Sequence, residues 1–317
     1  MEYNIGVLGA TGLVGLDVLL LLSSIDLPIG NIYAIASKSS YGKSIKIKDK
    51  NFIVYNIDTF DFNKVNIVIC CLDNALSSFW VPLLSSRGII VIDNSSCFRY
   101  EKDIPLIIPQ INPQDIELCS NKNIIANPNC STIIMLLGIY NILKYYSVKR
   151  VIVSTYQSVS GAGMNAIKNF DLDYANKCIP IIDILLNDGS TKEEYKIITE
   201  SKKILHKNDL KIHANCARVP TLYGHCMFVN IEFNESINLD KIEDIIKNDT
   251  NLIYYEKSNY PNQKEIQGSN YVHIARLKKD DTIENGISLW VVGDNIRIGA
   301  SNNAINLLKL LIYNYYK

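Results

Sequence analysis

Tyr3-Asn4-Ile5-Gly6-Val7-Leu8-Gly9-Ala10-Thr11-Gly12-Leu13-Val14-Gly15 runs a compact apolar strand straight into a glycine turn, and the apolar helix Leu16 to Leu22 follows. A glycine turn at such a junction lets backbone approach a pyrophosphate, while the helix N-terminus points N–H groups at it. The spacing is G-x-x-G-x-x-G rather than G-x-G-x-x-G, and ordinary tight βα turns also use glycine. Its place between the first strand and a helix is what points to a dinucleotide.

A second strand, Asn31 to Ala36, should end where a cofactor ribose is read, about 20 residues past the glycines. No acidic residue stands there to select NAD. Ser37-Lys38-Ser39-Ser40-Tyr41-Gly42-Lys43 offers hydroxyls and cations suited to a 2′-phosphate, hence NADP, although a solvated loop has the same composition. Asn66 to Leu72 and Gly88 to Asp93 are further apolar strands, separated by a helix from Ala75 to Ser86. Alternating βα units predict a parallel, doubly wound sheet with its ligand site beyond the strand C-termini. Arg99, in Asn94-Ser95-Ser96-Cys97-Phe98-Arg99, lies just past one such end, either as a fork donor for phosphate or carboxylate or as a surface arginine.

Asn127-Pro128-Asn129-Cys130-Ser131-Thr132 places a cysteine between the short strand Ile124-Ile125-Ala126 and a mostly apolar helix, Ser131 to Lys144. Unpaired N–H groups and the positive end of the helix dipole favour a thiolate there, and the same donors could hold an oxyanion. A buried structural thiol is the alternative, against which the turn-forming Asn-Pro-Asn argues for a rigid, presented corner.

Beyond this helix the pattern changes. Val148 to Ser158 alternates as one long strand and leads through Ser160-Gly161-Ala162-Gly163 into a helix expected from Met164 to about Lys177. Gln157, near the strand's end, would orient a bound carbonyl or simply be an exposed strand residue. Glu193-Glu194-Tyr195-Lys196 opens a helix to about His206; Glu193 and Lys196 share a face, for which a solvated ion pair is the commoner explanation. Lys211 to Val219 and His225 to Phe233 read as antiparallel partners around Pro220-Thr221-Leu222-Tyr223-Gly224. One hairpin would then bring the guanidinium of Arg218 and the imidazole of His225 to the same end; packing alone also accounts for a strand histidine. Asp240 to Lys247 is a helix, Tyr271 to Leu277 and Gly286 to Val292 are strands, and Ala300 to Tyr316 is an apolar-faced helix.

The 317 residues suffice for two domains, and 48% hydrophobic with 20% charged residues is ordinary globular composition. Lys+Arg and Asp+Glu number 32 each, so no basic field suggests nucleic acid. No apolar run reaches a membrane span, and no secretory signal is read at the start. Cys70, Cys71, Cys97, Cys119, Cys130, Cys178, Cys216 and Cys226 show no C-x-x-C spacing, and the four histidines form no H-x-x-x-H pair. Neither zinc nor a disulfide framework is indicated; no metal is expected, and a reducing cytoplasm is the simplest setting.

Taken together, these stretches resemble the aspartate-semialdehyde dehydrogenase family nearly end to end: Gly9 to Gly15, Asn94 to Arg99, Asn127 to Thr132, Tyr156 to Gly163, Glu193 to Lys196, Arg218-Val219-Pro220 with Gly224-His225, and Asp294-Asn295. The resemblance implies that Cys130 is the nucleophile, Gln157 positions the reacting group and His225 is the general acid/base. Arg218 would hold the substrate carboxylate, Glu193 its ammonium, and Arg99 with Lys196 the phosphate, with Asn129 also at the substrate. NADP would be held by Gly9, Thr11, Gly12, Leu13, Val14, Ser37, Lys38, Ser39, Ser40, Ser160, Gly161 and Asn295.

The implied reaction is NADPH-dependent reductive dephosphorylation of L-aspartyl-4-phosphate to L-aspartate 4-semialdehyde through a cysteine thioester, in lysine, threonine and methionine biosynthesis by the diaminopimelate branch. The chain departs from the family at Ser39, where arginine is common, at Leu72-Asp73-Asn74 in place of Ser-Ala-Gly, at Ile298 in place of lysine, and at Cys226-Met227. N-acetyl-gamma-glutamyl-phosphate reductase is the nearest rival, opposed by Asn129-Cys130-Ser131 and by the Glu193/Lys196 pair. A non-catalytic paralogue is opposed by retention of Cys130, Gln157, Arg218 and His225 together.

The expected architecture is α/β: an N-terminal Rossmann-like NADP-binding domain, residues 1–129, rejoined by a C-terminal helix at 300–317, and a second α+β catalytic and dimerisation domain, residues 130–299. A mixed sheet in the second domain would present its outer face to a partner subunit, giving a homodimer or a tetramer.

Overall fold

The computed structural model describes residues 2–315; the expected spans that reach Met1, Tyr316 and Lys317 end outside the described residues. The chain forms two compact units, one of residues up to Pro128 with those from Ala300 onward, the other Asn129–Gly299.

In the first unit, strands β1 (Tyr3–Leu8), β2 (Ile29–Ala36), β3 (Ser44–Ile47), β4 (Lys50–Asn56), β5 (Ile67–Cys70), β6 (Ile90–Asp93) and β7 (Ile124–Ala126) are joined by helices α1 (Leu13–Leu22) and α2 (Asn74–Ser85). They form one sheet in the order β3-β4-β2-β1-β5-β6-β7, parallel except for the β3–β4 hairpin. Every residue of β5 and β6 is buried, as helix-covered parallel strands require. Strand order reverses at β1, so the crevice beyond its C-terminal end is the switch point where such sheets bind ligands. The β3–β4 hairpin adds two strands that the sequence reading did not assign, because alternating lysines in this stretch leave no continuous apolar run.

The second unit begins with α3 (Cys130–Tyr145) and continues through β8 (Val148–Gln157), α4 (Met164–Lys168), α5 (Phe170–Asp173), α6 (Lys192–Leu205), β9 (Lys211–Arg218), β10 (His225–Phe233), α7 (Leu239–Lys247), β11 (Leu252–Tyr255), β12 (Val272–Lys279) and β13 (Gly286–Gly293). Its mixed sheet has the order β11-β12-β13-β10-β8-β9. One face is a continuous apolar layer that includes Val151, Val153, Val229, Ile231, Leu289 and Val291, and α3 packs on it so closely that a Cβ at Gly138 would sit 2.9 Å from Val291 Cγ1. The other face carries half-buried Tyr156, Phe228 and Trp290.

Two expectations are corrected here. Strands β9 and β10 are not hairpin partners: β8 lies between them, parallel to β9 and antiparallel to β10. The connection from Val219 to Gly224 therefore spans two strand spacings, roughly 9–10 Å. It is held across the end of β8 by Val219 N–H donating to Gln157 O (2.9 Å) and by Val159 and Ser160 N–H donating to Thr221 O (2.8 Å) and Leu222 O (2.9 Å). The helix expected from Met164 to Lys177 is instead the two short pieces α4 and α5. Asn169, at φ −100° and ψ 19°, breaks it, and Asn176 is left-handed at φ 60°, both being residues whose short polar side chains compete with helical backbone bonding.

The last helix, α8 (Asn302–Leu310), is flanked by π-helical turns at Arg297–Ser301 and Leu311–Tyr315 and buries Ala304, Ile305, Leu307 and Leu308 in the core of the first unit. Among the described residues no helix is long and apolar enough to cross a membrane. No group of three or more His, Cys, Asp or Glu side chains among them is placed to hold a metal ion.

Candidate active site

Cys130 is the first residue of α3. Asn129 caps the helix, its Oδ1 accepting from the N–H groups of Ser131 (2.9 Å) and Thr132 (3.2 Å). Cys130 Sγ is partly exposed and lies 3.3 Å from His225 Nε2. The nucleophile alternative thus has the geometry that a structural thiol does not require: helix N-terminus, access and an imidazole in contact.

Asn129 is held from three directions. Its backbone N–H donates to Glu200 Oε2 (2.6 Å), and its side-chain amide to Glu193 Oε1 (3.0 Å) and Oε2 (3.2 Å). Gln157 Nε2, at the end of β8, donates to the same Glu193 Oε1 (3.1 Å), and Lys196 Nζ lies 3.2 Å from Glu193 Oε2 and 2.8 Å from Asp183 Oδ2. The Glu193/Lys196 pair is therefore not a solvated pair; Glu193 is 4% exposed. Burial by itself raises the Glu193 carboxyl, but the Lys196 charge and the bonds from Asn129, Gln157 and Lys196 outweigh it and hold the group below the usual carboxylate range. Burial likewise opposes charge on Lys196, and the Glu193 and Asp183 carboxylates raise it above the ordinary lysine value.

Arg218 ends β9 and is buried, its Nη1 donating to Ser158 O (2.7 Å). His225 starts β10 and is wholly buried; burial first and the Arg218 charge second bring it down to about 3, against the opposing pull of Glu193. Both effects disfavour the imidazolium. A Cβ on Gly161 would lie 3.1 Å from Arg218 Nη1 and 3.3 Å from His225 Cε1, so a larger residue in this loop would have to displace one of the two groups by a few tenths of an ångström. Asn295 is the hub of the loop cluster: its Oδ1 accepts from Ser158 Oγ (3.1 Å), Ser160 Oγ (3.1 Å) and Gly224 N–H (2.9 Å).

The second unit thus gathers Asn129, Cys130, Gln157, Glu193, Lys196, Arg218 and His225, with Ser160, Gly161 and Asn295 beside the imidazole. Arg99 belongs to the first unit, buried after β6, where its Nη2 donates to Asn94 O (2.9 Å). Glu200 and Ser158 escaped the sequence reading. Glu200 stands seven residues after Glu193, two helical turns on along the same face, a spacing that would have found it.

The first unit fits a dinucleotide. Gly9 is left-handed at φ +74°, and a Cβ there would sit 2.5 Å from Cys71 O. The N-cap of α1 is Gly12, with no side chain to close the N–H groups of the first turn and no acidic residue there to repel an anion. A cavity of about 470 Å³ opens at this turn, walled by Gly9, Thr11, Gly12, Ser37, Asp58 and Trp80 among others. Leu13 and Val14 start α1 half-buried. Lys38 and Ser39 are exposed on the single 3₁₀ turn after β2 and Ser40 is buried in it; of this run only Ser37 reaches the cavity wall. Asp58 and Trp80 escaped the sequence reading, the first because it follows the unread strand β4.

Known proteins are similar to this chain in sequence and fold. Residues 4–119 match the family described as semialdehyde dehydrogenase, NAD binding domain, and residues 139–298 match semialdehyde dehydrogenase, dimerisation domain. The chain is 36% identical to aspartate-semialdehyde dehydrogenase 2 of Vibrio cholerae, over 99% of each chain, and 36% identical to aspartate-semialdehyde dehydrogenase of Aquifex aeolicus, over 98% of each. Its fold matches the crystal structure of Vibrio cholerae aspartate semialdehyde dehydrogenase II complexed with ASA at a TM-score of 0.95 and 35% identity, covering 99% of both chains.

Proposed function

The chain belongs to the semialdehyde dehydrogenases, among the aspartate-semialdehyde dehydrogenases, and from that premise we infer that the Cys130 cluster reductively dephosphorylates L-aspartyl-4-phosphate to L-aspartate 4-semialdehyde. The observation that carries this is the 3.3 Å contact of Cys130 Sγ with His225 at a helix N-terminus, ringed by a buried guanidinium and a buried carboxylate.

Cys130 attacks the acyl carbon, with the positive end of α3 favouring its thiolate. Gln157 positions the reacting carbonyl, Arg218 takes the substrate's α-carboxylate as a fork donor, and Glu193 takes the ammonium. Lys196 receives the phosphate, and Asn129 lines the substrate site from the helix cap. His225, in contact with the sulfur, is the general acid/base. The part of Arg99 at the phosphate, and those of Leu13, Val14, Lys38, Ser39, Ser40, Ser160, Gly161 and Asn295 at the cofactor, rest on the family resemblance.

NADP is the cofactor. Gly9, Thr11, Gly12 and Ser37 would hold it, and when bound in reduced form it supplies the hydride for the thioester.

The protein acts as a homodimer or a tetramer in the cytoplasm, where the eight free thiols stay reduced. The dimer buries the sheet face of Tyr156, Phe228 and Trp290.

The test is phosphate-dependent reduction of NADP by L-aspartate 4-semialdehyde, on wild type and Cys130→Ala side by side. Turnover abolished by the substitution is expected; no turnover by the wild type would overturn the substrate.

A further inference from the structure

We propose that Asp183 sets how tightly phosphate binds at Lys196: its carboxylate holds the Lys196 ammonium and has to be displaced from it when the phosphate of the substrate arrives. This deepens the function proposed above and rests on Lys196 being the phosphate ligand.

Lys196 Nζ stands between two carboxylates, 2.8 Å from Asp183 Oδ2 and 3.2 Å from Glu193 Oε2. The trio carries two negative charges against one positive. A phosphate dianion approaching it unchanged would gain one cation and meet a net repulsion. One carboxylate therefore has to yield, and the two are held very differently. The side chain of Glu193 is 6% exposed, and it keeps its bonds from Asn129 and Gln157 after any loss of Lys196. The side chain of Asp183 is 32% exposed, and besides Lys196 it accepts from the next N–H in the chain, that of Ile184 (3.0 Å). Water replaces the ammonium at an exposed oxygen at little cost, whereas a buried oxygen would be left bare. Lys192, one turn before Lys196 on α6, also faces Asp183, so the displaced carboxylate keeps a cation near it. Lys196 in turn stays charged without Asp183, since Glu193 is the larger of the two influences that raise it.

Asp183 lies on the connection between α5 and α6. This strap is tied to the end of β9 by the two bonds between Ile179 and Arg218 (2.9 and 2.8 Å), and to the start of α6 by Lys192 N–H donating to Ile184 O (2.9 Å). Between these ties Asp183 is left-handed at φ 67°, a conformation that residues other than glycine, asparagine and aspartate seldom adopt. Strain of this kind persists where the surroundings over-determine it, and here the ties on both sides and the ion pair with Lys196 do so. Ile182 is buried beside it, while Ile181 and Ile184 are exposed. The strap is thus anchored at both ends by backbone bonds that do not depend on Lys196, so the carboxylate can leave the ammonium without the strap leaving the protein.

Asp183→Asn removes the charge and keeps both an oxygen that can accept from Nζ and a residue type at home in the left-handed region. Titration calorimetry of the whole protein with inorganic phosphate, at about pH 8 where phosphate is a dianion, reads the binding constant independently of the assigned reaction. Asp183→Asn should bind phosphate roughly three- to tenfold tighter than wild type, and Lys196→Ala more weakly than either. In phosphate-dependent reduction of NADP the KM for phosphate should fall by the same factor, with the KM for L-aspartate 4-semialdehyde moving by less than about twofold.

A carboxylate that merely braced the strap would give the opposite sign, weaker phosphate binding in Asp183→Asn. That result, or an unchanged constant, overturns the proposal even where the enzyme turns over as expected. Phosphate binding by Lys196→Ala equal to wild type, or no binding by wild type and Asp183→Asn alike, overturns it through its premise, whether or not Cys130 is the nucleophile. Should Asp183→Asn not fold, Asp183→Gly, which is unstrained at this φ, is expected to move the constant in the same direction and decides in its place.

Discussion

Glu193 receives Asn129, Gln157 and Lys196 at once, so the residue that caps the helix of Cys130 is also one of the groups that keep this carboxylate charged. Its folded pKa lies below the unfolded one, and the stability it contributes is present above the ordinary carboxylate range and is lost as pH falls through the lower folded value. Glu193→Gln should cost on the order of 1–3 kcal/mol at pH 7, with the gap to wild type closing in acid; urea midpoints across pH measure it. His225 has the same sign for a different reason. Its folded value, about 3, lies below 6.5, so from pH 6.5 down to about 3 only the unfolded chain binds the proton, and stability falls with pH. From this group alone the loss between pH 7 and pH 5 is about 2 kcal/mol, and it should be missing from His225→Gln. Gly161→Ala crowds Arg218 and His225 without touching the core. A roughly 10- to 100-fold fall in kcat/KM with little change in melting temperature is expected from steady-state kinetics and thermal denaturation.

At the scale of elements, two helix starts carry the site. The N-cap of α3 is usually served equally well by Asn or Asp, but here Asn129 donates to Glu193 and to Glu200 while its Oδ1 caps the helix. Asn129→Asp would lose the amide donor and face two carboxylates. It should therefore be less stable than Asn129→Ser by about 1–3 kcal/mol, although the two are ordinarily near-equal caps, and chemical denaturation decides the order. Helix α6 starts in a capping box: Thr191 Oγ1 accepts from Glu194 N–H (3.3 Å), and Glu194 Oε2 accepts from Thr191 N–H (2.7 Å). Glu194 Oε1 also accepts from Cys216 N–H (2.9 Å), which ties the helix bearing Glu193 and Lys196 to β9, the strand that ends in Arg218. Thr191 followed three residues later by Glu194 is a local signature that the sequence reading passed over; the tie to β9 has no such signature, since nothing local to either segment announces it.

For the whole molecule, the second unit leaves one sheet face of Tyr156, Phe228 and Trp290 half-buried, with Phe228 directly opposite Trp290 in register and Arg276 over the Phe228 ring at 5.1 Å. A charge placed at the centre of such a face is costly to bury against a second copy. Phe228→Asp should therefore shift the protein to monomer in light scattering at micromolar concentration while the wild type stays dimeric or larger. A monomeric wild type would remove this face as an interface.

The sequence by itself determined the features that depend on neighbours along the chain. A strand, a glycine turn and a helix at Tyr3 to Leu22 specify a nucleotide-binding corner, because chain geometry forces turn and helix N-terminus together. Asn127 to Thr132 specifies a presented cysteine for the same reason. Only the tertiary structure decided which strands are neighbours and which polar groups share a desolvated space. Strand β8 separates β9 from β10 because hydrogen-bonding partners are chosen across the sheet and not along the chain. Glu193 is buried rather than solvated because Asn129 and Gln157, dozens of residues away, supply the bonds that Lys196 leaves unmade. Folding likewise brings Ser158 N–H to His225, 67 residues apart, and a contact at that separation leaves no trace in local spacing.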